Sequence, residues 1–158
     1  KVYITNDMSN LYIRVDNESG SLPAYCAETV FQVGAHIRSS TESAAGTTST
    51  LNGTSLPHSF SKAFVRSSDS TTVDRYEISG SAWAFSNTES GARVEWSPAA
   101  GRIQMVIPLE SIGAAVSETE TWLDCAVSIG SGGTDSDVFE IHYRLTGSSQ
   151  QWLYGDFE

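Results

Sequence analysis

Apolar residues in this chain recur with a period of two, and no stretch carries a 3.6-residue stripe long enough for a packed helix. Leu11, Ile13 and Val15 alternate with Tyr12, Arg14 and Asp16, and Phe31, Val33, Ala35 and Ile37 alternate with Gln32 and His36. Further along, Leu123, Cys125, Val127 and Ile129 share one parity, as do Phe139, Ile141, Tyr143 and Leu145. Gly, Ser, Asn and Asp bound these segments, which return every ~8–12 residues, the spacing of a β-sandwich or barrel. Strands are expected over 2–5, 11–16, 29–37, 59–66, 72–79, 81–85, 92–96, 102–109, 121–129 and 137–145, with a last short one within 152–157. Pro108–Gly113 reads as a single helical turn stopped by its glycine. Residues 39–57, rich in Ser, Thr, Gly and Ala, show no period and read as the longest irregular stretch. With no fixed-period repeat, the whole of 1–158 is expected to form one all-β domain.

Composition places that domain outside the cell. Charged residues make up 18% of the chain, below the ~25% of ordinary globular domains. Ser (25) and Thr (14) fill the gap, while lysine occurs only as Lys1 and Lys62. The net charge of −10 argues against nucleic acid or an anionic membrane as partner, because both demand a basic face. It also leaves carboxylates available for calcium. No apolar run reaches the ~18 residues of a membrane-spanning helix, and neither a leader nor an initiating Met opens the chain. The sequence therefore reads as a piece of a longer secreted protein. Cys26 and Cys125 allow one disulfide, but Cys125 has core parity and a buried free thiol fits equally well.

Two segments carry a family resemblance. The opening Val2-Tyr3-Ile4-Thr5-Asn6-Asp7-Met8-Ser9-Asn10-Leu11-Tyr12-Ile13-Arg14-Val15 resembles the strand, Asn-Asp turn and Leu-Tyr strand that begin DOMON-like and family 9-type carbohydrate-binding modules. Val94-Glu95-Trp96 and then Gly101–Gly113, with a strand ending in Ile107-Pro108 before a small-residue turn, looks like the family's second signature. The resemblance implies a two-sheet antiparallel β-sandwich of the jelly-roll type, appended to secreted polysaccharide-degrading enzymes. Some relatives hold sugars between tryptophans and others hold haem through a Met and a His. The family's ligand tryptophans do not align onto this chain, so the site expected here comes from its own residues.

A sugar ring exposes an apolar C–H face that stacks on aromatic surfaces, while its hydroxyls need donors and acceptors in the ring plane. Trp122 has the parity opposite to the apolar set of its strand and stands beside Asp124. The same outward parity gives Tyr12 and Arg14, Gln32 and His36, and Glu140, His142 and Arg144. On one sheet, these would compose a glycan groove. Trp83 and Trp152 are further candidate platforms, whereas Trp96 shares its face with Val94 and reads as core. For calcium, Asp135 and Asp137 in the Gly-Ser-rich segment 130–137 are the candidate ligands, with Asn6-Asp7 and Asp16-Asn17 as a second pair. Turn chemistry explains both clusters without a metal.

Catalytic signatures are missing: there is no G-x-S-x-G elbow, P-loop, G-x-G-x-x-G or H-E-x-x-H. Asp124 and Glu140 share a parity and are the one pair worth weighing as glycosidase carboxylates. His36, His58 and His142 have no metal-ligand spacing. The sequence therefore predicts a monomeric, non-catalytic carbohydrate-binding module that tethers a covalently linked enzyme to a polysaccharide. A structural or adhesive domain is the alternative, and a small polysaccharide lyase or hydrolase is the third reading.

Overall fold

The computed structural model describes residues 1–21, 28–37, 46–66, 72–116, 121–131, 134–147 and 153–155. Over 28–37, 134–136 and 153–155, and at Trp96, Pro98 and Ser131, it describes the backbone path. The chain is almost wholly β, and every strand pairing is antiparallel.

Strands β1 (Val2–Asn6) and β2 (Asn10–Asp16) form a hairpin closed by Asp7. Its Oδ1 accepts the amides of Ser9 and Asn10, both at 2.7 Å, an Asx turn that fixes the register. Following the chain come β3 (Glu28–Ile37), β4 (Thr47–Ser49), β5 (Ser55–Phe60), β6 (Lys62–Arg66), β7 (Val73–Ser79) and β8 (Ala82–Thr88). Next are β9 (Arg93–Ser97), a 3-10 turn at Pro98–Ala100 and β10 (Arg102–Pro108). The short helix α1 (Leu109–Ile112) ends at Gly113, whose φ of 80° turns its amide back to the carbonyl of Glu110. This is the helical turn expected there. β11 (Thr121–Ser131), β12 (Thr134–Arg144) and β13 (Leu153–Gly155) complete the order.

These strands form a five-stranded sheet, β13-β1-β2-β10-β9, and a six-stranded sheet, β12-β11-β3-β6-β7-β8. The alternating residues of both pool into one core. From the first sheet come Val2, Ile4, Leu11, Ile13, Val15, Val94, Ile103, Met105 and Ile107. From the second come Phe64, Val73, Leu123, Cys125, Val127, Ile129 and Tyr143. Cys125 is a free, fully buried thiol, and burial foremost, with the charge of Asp124, pushes its pKa up. Cys26 lies outside the described residues.

Two expectations need correction. The stretch 39–57 is not irregular throughout, because β4 and β5 pair as a separate two-stranded sheet. Its turn is held by Thr50, whose amide bonds the Thr54 carbonyl at 2.7 Å and whose hydroxyl accepts the Thr54 amide at 2.8 Å. Gly46 runs so close to β5 that a Cβ there would overlap the Phe60 carbonyl. The single strand expected over 59–66 is in fact broken at Ser61, and its halves join different sheets.

That hairpin lies on the outer face of the six-stranded sheet. His58 of β5 reaches Glu140 of β12, and Ser49 of β4 accepts the indole N–H of Trp83 in β8 at 3.0 Å. Ala63 and Ala126 have outward parity yet are fully buried, as is Phe60, and none of them belongs to the main core. Small side chains on the sheet thus leave room for a large one from the hairpin.

Candidate functional site

The register of β11 with its neighbours builds a polar patch on the outer face. Trp122 pairs with Arg144 and with position 36, Asp124 with His142 and Gly34, and Ala126 with Glu140 and position 32. The structure therefore brings Trp122, Asp124, His142 and Arg144 together on one face. The backbone register sets positions 32 and 36 opposite Ala126 and Trp122. Tyr12 and Arg14 do not: they stand on β2, in the other sheet, so no single groove unites all the expected residues. The Tyr12 hydroxyl donates to Asp7 at 2.5 Å, while Arg14 pairs with Asp16 at 3.1 Å and lies 4.4 Å over the Tyr3 ring.

Asp124 is almost completely buried, an uncommon place for a carboxylate. Its Oδ1 lies 2.6 Å from Nδ1 of His142, directly across the ladder. One step along β12, Glu140 Oε1 lies 2.5 Å from Nδ1 of His58. The two imidazoles meet edge to face, with centroids 4.0 Å apart and planes at 83°. Three strands thus converge two histidines and two carboxylates on one spot. Asp124 and Glu140, weighed as a hydrolytic pair, are each engaged by an imidazole instead.

His58 is the member that the sequence reading left out of the site. Leu56, His58 and Phe60 alternate with exposed Ser55 and Pro57, a period-two signal that begins inside a stretch otherwise lacking one.

On the far side of the hairpin, β7 and β8 carry an aromatic flank. Tyr76 pairs with Phe85 and Ile78 with Trp83, all at outward parity. The rings of Tyr76 and Phe85 pack edge to face at 5.7 Å, and Phe85 remains 57% exposed. Trp83 is half-buried, its ring N–H occupied by Ser49. Neither Tyr76 nor Phe85 was expected in the site.

The chain matches no family model, no curated protein and no solved structure.

The remaining expected residues stand elsewhere. Trp152 lies outside the described residues. Asp135 and Asp137 belong to β12, opposite Gly130 and Ile129 across a register shift, so the segment expected as an open loop is mostly ladder. Asp137 Oδ1 accepts the Val138 amide at 2.9 Å. A shallow groove of about 450 Å³ near Met8, Ser9, Pro108 and Ala114 offers no aromatic platform.

Asn6 and Asp7 have structural work. Asn6 is fully buried and accepts from the Tyr143 hydroxyl at 2.7 Å and the Thr146 amide at 3.2 Å. Its own amide donates to the carbonyls of Asp7 and Thr146 at 2.7 and 2.9 Å. The Tyr12 hydroxyl, and then the Ser9 amide, hold the Asp7 carboxyl below its ordinary value of 3.8. A folded pKa below the unfolded one stabilises the fold above that ordinary value, and the stabilisation fades as pH falls through the folded pKa. Urea unfolding between about pH 6 and about pH 2 should therefore show a smaller acid-induced loss in Asp7→Asn than in the unaltered chain. Equal losses in the two proteins would remove Asp7 from the acid response.

Proposed function

We propose that this chain is a non-catalytic carbohydrate-binding module, a secreted, monomeric, two-sheet β-sandwich of jelly-roll type that tethers a linked enzyme to a polysaccharide. The supporting observation is the outer face of the six-stranded sheet, where exposed Phe85 beside Tyr76 and half-buried Trp122 beside Arg144 and His142 flank the hairpin. A large exposed aromatic packed against a second ring is the surface a sugar's C–H face stacks on. Arginine, imidazole and carboxylate next to the indole suit hydroxyl recognition. Two flanks separated by a ridge favour a soluble chain bent over the hairpin rather than a flat crystalline surface.

Native affinity electrophoresis through gels containing a panel of polysaccharides tests this reading. Retardation by one glycan class is expected, with Trp122→Ala or Phe85→Ala binding about 3- to 10-fold more weakly. A parallel run with chelator reports whether calcium, held at Asp135 and Asp137, takes part. No retardation by any glycan, or retardation untouched by both substitutions, would overturn the proposal.

The alternative, a structural or adhesive domain, draws on the hairpin itself. It covers the middle of the outer face and ties up the Trp83 indole. In that case Trp122→Ala lowers stability and leaves migration through glycan unchanged.

A further inference from the structure

We propose that His58, Asp124 and His142 form a three-ligand site for a divalent transition-metal ion of the zinc class. One ligand atom from each residue lies within 4.8 Å of the other two. A tetrahedral ion with bonds of ~2.0–2.2 Å sets its ligand atoms about 3.4 Å apart. Side-chain rotation alone closes that difference, because the three residues already project toward one point from β5, β11 and β12. The donor set decides the class of ion. Two imidazole nitrogens and one carboxylate suit zinc, nickel or copper, whereas calcium takes six to eight oxygens.

Glu140 completes the arrangement as a positioning residue. It accepts from Nδ1 of His58, and a carboxylate on one ring nitrogen is what orients the other nitrogen toward a metal. Asp124 is nearly buried while His142 is exposed, so the site is walled on one side and open on the other. The open side leaves a fourth position for water or a ligand oxygen. A bound ion would replace the His142–Asp124 contact between β12 and β11, keep the Glu140–His58 bond, and clamp the hairpin to both strands. The site shares Asp124 and His142 with the saccharide reading, but its test contains no glycan, so failure of one does not imply failure of the other.

The experiment is calorimetric titration of the full chain with zinc chloride, repeated with calcium chloride, and with cobalt(II) followed by visible absorption. One zinc ion per chain is expected, with intense cobalt d–d bands that mark tetrahedral nitrogen–oxygen coordination, and no calcium binding displaced by zinc. His58→Gln and His142→Gln should each weaken zinc by tenfold or more, and Glu140→Gln by about tenfold. Absence of zinc binding, or zinc binding unchanged by both histidine substitutions, would overturn the assignment and leave a plain hydrogen-bonded cluster. The cobalt spectrum of the unaltered chain decides the matter even if a variant fails to fold: weak octahedral bands alone would count against the site.

Discussion

Phe60→Ala should lower the unfolding free energy by about 3–5 kcal/mol, more than any other change in the hairpin. Phe60 is fully buried, yet it lies outside the main core, on the strand that rests against the outer face of the six-stranded sheet. Ala63 and Ala126, small buried residues of outward parity on that sheet, have no side-chain length with which to fill the space that truncation leaves. Transfer and cavity terms therefore both apply. His58 stands two residues away on the same side of β5, so the same substitution should loosen its hold on Glu140. Urea unfolding measures the first effect. A loss under about 1 kcal/mol would mean that the hairpin is only draped over the sheet and contributes little to the cooperative fold.

Asn6→Ala should cost about 2–4 kcal/mol, for a different reason. No apolar surface of consequence is lost. Instead the substitution removes the acceptor of the buried Tyr143 hydroxyl and the side-chain partner of the part-buried Thr146 amide and carbonyl. Buried polar groups left without partners carry most of the penalty in such variants. Tyr143→Phe should cost clearly less, because it deletes one of these bonds and leaves Asn6 its others. If the two variants unfolded at the same urea concentration, the Asn6 network would not be the reason that β1 and the end of β12 hold together.

Much of this architecture was legible in the residues. Parity alone separated Leu123, Cys125, Val127 and Ile129 from Trp122 and Asp124, because a strand with one buried face must alternate. The stop at Gly113 was legible from the need for a left-handed residue after a helical turn. Sheet membership was not. Tyr12 and Arg14 have the right parity for the outer patch, but parity names a face of a strand and never the sheet to which the strand belongs. That assignment depends on chain closures between distant segments, such as β3 with β11.

The hairpin was missed for a related reason. A two-stranded sheet that buries one side against another sheet needs only a few apolar residues, here Leu56 and Phe60, and the hydroxyl-rich turn around Thr50 masks them. His58 went with it. Its metal-ligating company comes from β11 and β12, more than sixty residues downstream, so no local spacing motif was there to find.

The two flanks of the outer face also share a position in the sheet order: β12 and β8 are its first and last strands. A terminal strand presents backbone N–H and C=O groups along its free side, and another chain's strand can extend the ladder there. Both flanks thus lie beside terminal strands of the described sheet, the kind of place where copies of a β protein join edge to edge. A net charge of −10 on each copy opposes that association. Acidity of this size therefore works against edge-to-edge joining along both rims of the sheet.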